Sequence, residues 1–155
     1  MNINIRKAED KDIYDLFKLS NSPSTRKYSV NSNKIAWEDH KKWFDELVKD
    51  DNIVLYILSD EKETFLGQVR YDIKLHYAEI SISLVEKVKG RGYGLESLLK
   101  SQKMIKREKK VKKIKATVNN SNKPSIKIFE RAGYKLSRTG ESFSEYILEI
   151  KGGSQ

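Results

Sequence analysis

The chain opens with apolar residues alternating with polar ones, Ile3 and Ile5 set among Asn2, Asn4 and Arg6, which is the two-residue period of a β-strand. The period then lengthens: Ile13, Leu16 and Phe17 share one helical face, and Asp10 stands ahead of them as a helix cap. Residues 20–34 are polar and aperiodic, contain one proline, and read as a long loop of the kind that often serves function. His40, Trp43, Phe44 and Leu47 recur at the i, i+3, i+4, i+7 spacing of a second amphipathic helix. Three strands follow at 53–58, 64–71 and 78–84, and their short connections make them an antiparallel meander. Gly67, inside the second, predicts a bulge or a close backbone approach. In the third, Ile80, Ile82 and Leu84 face one side while Glu79, Ser81 and Ser83 face the other. A half-polar face on a central strand predicts the floor of a cleft.

From Gly92 the helical period returns, with Leu95, Leu98, Leu99, Gln102 and Ile105 predicted to pack on the sheet. Ile114, Ala116 and Val118 alternate as a strand, which the polar cluster at 119–122 ends. Pro124 suits the first turn of a short helix that buries Ile126, Ile128 or Phe129 and stops at Gly133. Strands at 134–136 and 143–150 complete one domain over residues 1–150, and 151–155 form a loose tail. A chain of 155 residues can bury a core of its own without metal or disulfide support.

Composition narrows the chemistry. With no cysteine there is no disulfide framework, no thiolate metal site and no cysteine nucleophile, and no metal site is expected. The N-terminus has no signal-peptide pattern and no apolar run is long enough to cross a bilayer, so a soluble cytoplasmic protein is expected, with no membrane partner. The net charge of +9 is concentrated: residues 87–115 carry twelve Lys or Arg against two Glu, a local excess of ten. Such a patch suits a polyanion, either nucleic acid or a phosphorylated coenzyme. The lysines of 106–113 also suit the negative end of a helix dipole.

The patch is centred on Lys89-Gly90-Arg91-Gly92-Tyr93-Gly94, a basic glycine turn between a strand and a helix. Glycines let the backbone turn sharply and bring its N–H groups against a ligand, and the helix start adds roughly half a positive charge. With Lys87, Lys89 and Arg91 beside it, this turn should hold a pyrophosphate. Its spacing fits neither the nucleotide triphosphatase phosphate loop nor the dinucleotide fingerprint.

This segment resembles the acetyl-coenzyme A signature of the GNAT acyltransferases, (Gln/Arg)-x-x-Gly-x-(Gly/Ala), with Lys89 keeping the charge of the first position. Downstream, Asn122-Lys123-Pro124-Ser125-Ile126 and Phe129-Glu130-Arg131-Ala132-Gly133-Tyr134 resemble the family's Asn-x-x-Ala...Tyr-x-x-x-Gly-Phe segment. The resemblance implies a GNAT fold of the α/β (α+β) class, a mixed, mostly antiparallel central sheet flanked by helices. It also implies acetyl-CoA as cofactor and transfer of acetyl to a primary amine by direct attack in a ternary complex. Cofactor contacts would fall on Leu84, Val85, Lys89, Gly90, Arg91, Gly92, Tyr93, Gly94, Asn122, Ser125 and Phe129. Backbone N–H groups near Leu84 and Val85 would polarise the thioester carbonyl.

Glu79, on the polar face of the central strand, is the first candidate for the base that deprotonates the amine, with a salt bridge to a neighbouring lysine as its structural alternative. His40 and His76 are weaker candidates. Phe129 stands where many family members carry the tyrosine that protonates the departing thiolate, which leaves Tyr93, Tyr134, Tyr146 or water. Asn21, Arg26, Ser29, His40, Arg70 and Ser81 lie in segments similar to GNAT enzymes of nonulosonic acid sugars such as pseudaminic acid, and so would bind a nucleotide-linked amino sugar whose 4-amino group receives the acetyl. Ser20 departs from the Arg of many relatives there. The alternatives are an N-terminal or polyamine acetyltransferase of the same fold, and a basic nucleic-acid-binding module without enzymatic activity. The former wants an acidic cleft, against which Arg26, Lys27 and Arg70 argue, and the coenzyme reading makes nucleic acid the lesser partner. A homodimer is left open.

Overall fold

The alternating N-terminal segment forms strand β1 (Asn4–Lys7), and a short 3-10 turn (Asp10–Asp12) leads into helix α1 (Ile13–Ser20). This computed structural model describes residues 2–31 and 33–150, so the expected tail at 151–155 lies outside the described residues. Glu9 rather than Asp10 caps the turn: the carboxylate of Asp12 accepts the Glu9 N–H at 2.7 Å and is gripped by the Arg6 guanidinium at 2.7 and 2.8 Å.

The segment expected to be a plain loop contains a helix, α2 (Pro23–Lys27), with Pro23 in its first turn. It buries no residue, so no hydrophobic period announces it. Helix α3 (Trp37–Leu47) buries His40, Phe44 and Leu47, the stripe its spacing predicts.

Strands β2 (Ile53–Ser59), β3 (Phe65–Ile73) and β4 (Tyr77–Leu84) form the expected antiparallel meander. The register shifts opposite Leu58 and Ser59, and a Cβ on Gly67 would come within 2.2 Å of the Ser83 carbonyl oxygen. Gly67 therefore marks both a bulge and a close backbone approach. After helix α4 (Tyr93–Lys109), strand β5 (Lys113–Asn119) lies parallel to β4; helix α5 (Lys123–Arg131) and the hairpin β6 (Lys135–Thr139) and β7 (Phe143–Glu149) follow. One mixed sheet results, in the order β1-β2-β3-β4-β5-β7-β6.

Its two faces bury two cores. One carries Tyr56, Val69, Tyr71, Ile80, Ile114 and Tyr146 together with α4 and α5; the other packs Leu55 and Ile57 against Leu16, Phe44 and Leu47 of α1 and α3. The buried face of α4 is not the leucine stripe expected: Leu99 is 41% exposed, while Gly94, Ser97, Leu98, Ser101 and Ile105 are buried. Small side chains let the helix approach the sheet, and Ser101 Oγ meets the buried Tyr71 hydroxyl at 2.8 Å. Among the described residues no helix is long and apolar enough to cross a membrane.

Candidate active site

The sheet opens in its middle. Strand β4 pairs with β5 only from Tyr77↔Lys113 to Ile80↔Ala116, yet β4 continues to Leu84 and β5 to Asn119. At the two ends of the β3–β4 ladder, Lys74 N–H donates to the Tyr77 carbonyl and Val85 N–H to the Leu66 carbonyl, both at 2.8 Å. Bonded pairs alternate in an antiparallel ladder, so Glu79, Ser81, Ser83 and Val85 direct their backbone groups at β3, and Ile80, Ile82 and Leu84 direct theirs at the opposite edge. Beyond Ile80 that edge has no strand partner among the described residues. The free N–H groups are thus those of Ile82 and Leu84. Val85, expected to contribute one, is engaged with Leu66.

At the top of this gap sits the basic glycine turn. Gly90 and Gly92 adopt left-handed φ of 77° and 86°, and Gly92 is the N-cap of α4 with no side-chain cap. The first intrahelical bond is Glu96 N–H to the Gly92 carbonyl at 3.2 Å, so the N–H groups of Tyr93, Gly94 and Leu95 have no protein partner among the described residues. With the exposed Lys87 and Arg91 beside them, these donors form an anion site of the kind that helix starts provide. Gly94 serves differently from its neighbours. A Cβ there would lie 2.7 Å from Ile128 Cδ1 and 3.5 Å from Leu84 Cδ1, so this glycine lets α4 close on α5 and β4, and only its N–H faces a ligand. Lys89 donates to Ser24 Oγ of α2 at 2.6 Å and stands 3.7 Å from Glu86.

On the far side of the gap, Asn122 caps α5 by accepting the Ser125 N–H at 3.3 Å. Phe129 is 3% exposed and meets the Tyr134 ring edge-on at 5.0 Å, so it packs in the core. The Tyr134 hydroxyl is buried without a partner among the described residues, and burial pushes its pKa up. Tyr146 is buried as well. Of the tyrosines expected as acids, Tyr93 alone keeps partial exposure.

Opposite α4, the floor beside the gap is polar. Register partners Asp72 and Glu79, Arg70 and Ser81, and Gln68 and Ser83 run along it. Glu79 stands at the last rungs before β4 and β5 part, with Lys115 Nζ 3.6 Å from its carboxylate. Lys115 also lies over the Tyr77 ring, 5.1 Å from its centre. Arg70 Nε is 3.1 Å from Asp72 Oδ1, a contact that lacks hydrogen-bond alignment, and both side chains are half-buried. His76 is exposed on the β3–β4 turn at the closed end of the strands, away from the gap.

The remaining residues expected at the acceptor turn inward. Asn21 exchanges two hydrogen bonds with the backbone of Ile35, at 2.9 and 2.7 Å. Arg26 donates to the carbonyls of Ser20, Asn31 and Asn33 and to Ser29 Oγ, and Ser29 in turn donates to the Thr25 carbonyl. His40 is buried, joins α3 to α1 through Nε2 and the Ile13 carbonyl at 3.0 Å, and stacks near Phe17 and Trp43. Burial holds its pKa below the usual value. These four side chains hold segment 20–35 together and mount it on α1 and α3 through the bonds named. Ser24, which sequence reasoning passed over, is the residue of that loop that reaches the glycine turn; a lone serine on a polar segment gave no signal.

The site fits a coenzyme of acetyl-CoA's kind: unpaired N–H groups and cations for a pyrophosphate, and an unpaired strand edge leading from them into the sheet. Residues 2–135 match the family described as "Acetyltransferase (GNAT) domain". The chain is 29% identical, over 140 residues that span 84% of it and 82% of the relative, to the "Putative phosphinothricin acetyltransferase YwnH" of Bacillus subtilis strain 168. A domain from Methanocaldococcus jannaschii superposes with a TM-score of 0.85 at 26% identity, covering 96% of this chain and 99% of that one. Spermidine N-acetyltransferase from Vibrio cholerae, in complex with CoA and spermine, superposes with a TM-score of 0.87 over 95% of both chains; at 15% identity it shares the fold alone. The chain belongs to the GNAT family and is an acetyl-CoA-dependent N-acetyltransferase.

Proposed function

We propose that the acceptor is the primary amine of a small zwitterion of the amino-acid type, and that the amine attacks the thioester directly. What carries this reading is the polar floor: Arg70, with Ser81 opposite it, lies two register steps from Asp72 and Glu79, on the same face of the sheet. An anionic group suits Arg70 and an ammonium suits the carboxylates, while Lys115 offsets one of them. A polycation would gain little there, because two cations stand against two carboxylates. A nucleotide-linked amino sugar is less well served, since Asn21, Arg26, Ser29 and His40 are engaged within the protein and only Arg70 and Ser81 remain for it. The relative named for phosphinothricin, an amino acid, points the same way.

Acetyl-CoA supplies the acetyl group as an activated thioester. At roughly 3.3 Å per strand residue the N–H groups of Ile82 and Leu84 are about 6.6 Å apart, so one of them polarises its carbonyl oxygen while the other meets the coenzyme farther along the edge, and being fixed by the ladder neither needs reorganisation as charge develops. Glu79 takes the amine's proton. At roughly 3.3 Å per strand residue its Cα is about 10 Å from that of Ile82, so the proton passes through bound water rather than directly.

Thiol release from acetyl-CoA tests the proposal, and the chain has no cysteine to contaminate the signal. Phosphinothricin, spermidine and a UDP-linked 4-amino-4,6-dideoxy sugar should be compared. Turnover greatest with phosphinothricin, and an acceptor KM that rises in Arg70→Met while coenzyme affinity holds, are expected. Preference for the sugar nucleotide or for spermidine would overturn the acceptor class.

A further inference from the structure

Segment 22–34 makes its hydrogen bonds almost wholly within itself and to its two ends, through Arg26, Ser22, Ser29 and Asn31. Among the described residues one hydrogen bond ties it to a distant part of the chain, Lys89 Nζ to Ser24 Oγ at 2.6 Å. Lys89 is the first residue of the glycine turn, and Glu86 stands 3.7 Å from the same ammonium. The acceptor loop is thus a unit braced internally by a guanidinium and moored at one point to the anion site.

We propose that Ser24 is a positioning residue: through Lys89 it couples occupation of the anion turn to the placement of the acceptor loop. The inference rests on reading the β4–α4 turn as the coenzyme site. An ammonium offers three donors, so Lys89 can hold Ser24 and a phosphate oxygen together. On the free protein, the exposed contact to Ser24 has to overcome the rotamer entropy of the long lysine side chain. A phosphate oxygen makes the stronger, charge-assisted bond and fixes the ammonium, after which the bond to Ser24 forms with that entropy already lost. Coenzyme binding then tightens the loop against the turn, and by linkage a correctly placed loop favours the coenzyme.

Amide hydrogen exchange of the full chain, with and without saturating CoA, tests this without knowledge of the acceptor. Two regions are read: the amides of Tyr93, Gly94 and Leu95 at the start of α4, and those of Arg26 and Ser29, which are hydrogen-bonded within the loop. In wild type CoA should protect the first region and slow exchange in the second by roughly two- to tenfold, the range of one hydrogen bond. Ser24→Ala should abolish the loop effect and keep the protection at α4, and Ser24→Thr should restore it. A loop effect that survives in Ser24→Ala, or is absent from wild type while α4 is protected, overturns the coupling alone. No protection at α4 in wild type overturns the coenzyme site, and the coupling with it.

Discussion

Replacing Arg26 by Lys separates two roles that its charge alone leaves mixed. Its guanidinium donates Nε–H to the Ser20 carbonyl at 2.7 Å, Nη1–H to those of Asn31 and Asn33 at 2.9 and 3.1 Å, and Nη2–H to Ser29 Oγ at 3.3 Å. At a net ~0.5–1.5 kcal/mol for each bond, with the longest and the exposed ones contributing least, the four hold the segment by about 2–4 kcal/mol. Lysine keeps the charge but lacks the planar fork, so it cannot span three carbonyls spread over residues 20–33. A loss of about 3 kcal/mol raises the open-loop population roughly a hundredfold. Chymotrypsin reports this directly, because Tyr28 lies inside the segment and nicking follows the open population when reclosing is fast. Arg26→Lys should be nicked at Tyr28 tens of times faster than wild type, with a raised acceptor KM and an affinity for CoA that falls by no more than the roughly two- to tenfold that the Lys89–Ser24 contact couples to the loop. Nicking at the wild-type rate together with lost acceptor binding would refute the brace and assign the guanidinium to the acceptor.

Three further outcomes are expected. Gly92→Asp should abolish CoA binding by calorimetry while thermal stability stays near wild type, because the position is a left-handed N-cap, a conformation Asp tolerates better than most, and its carboxylate would take the N–H groups meant for phosphate; an unchanged Kd would remove the anion site from this turn. Burial keeps folded His40 below its ordinary pKa of 6.5, so the folded state takes up its proton less readily than the unfolded one; the stability this group contributes is present above pH 6.5 and is lost as pH falls below it toward the folded value. The thermal midpoint of His40→Gln should therefore fall less than that of wild type below pH 6.5, with turnover near neutrality kept; a collapse of turnover alone would restore His40 to the reaction. Tyr134→Phe removes a buried hydroxyl that has no partner among the described residues, so the midpoint should hold or rise by an amount equivalent to about 1 kcal/mol and kcat should not change; a tenfold fall in kcat would make Tyr134 the acid after all.

Long-range order was legible where period and chemistry agreed. The meander, the strand-turn-helix at residues 78–107 and the capped helix after Asn122 each combine a hydrophobic period with a residue whose conformation the turn demands. Hydrophobicity misled on α4, whose packed face carries Ser97 and Ser101 in place of Leu99, because close approach to the sheet and the Tyr71 hydroxyl both favour small polar side chains there. Helix α2 had no period to show, since polar bonds from Arg26 hold its segment and it buries nothing. The same property misdirected the expected acceptor contacts. Asn21, Arg26 and Ser29 have the chemistry of ligand-binding residues, and a sequence does not reveal whether a donor points at a ligand or at the loop's own carbonyls. Val85 illustrates the finer limit, for which of two adjacent N–H groups is free depends on the phase of a ladder set by its bond to Leu66.

That phase also bears on how the thiolate leaves. A phenol near its ordinary pKa of about 10 is already a weaker acid than a thiol, near 8.5, so a tyrosine aids departure only when its hydroxyl is within reach and its pKa is not raised. Here Phe129 has no hydroxyl, and the nearby Tyr134 hydroxyl is buried with its pKa pushed upward. Both changes remove an acid from the far wall of the gap. What remains are Tyr93, at the start of α4, and water entering where β4 and β5 part. A thiol's pKa near 8.5 makes its thiolate a fair leaving group near neutral pH without full protonation, so the proposed reaction does not require a tyrosine acid. In the proposed reaction the demand on the protein falls instead on the acyl oxygen and the attacking amine, the groups assigned there to the edge of β4 and to Glu79.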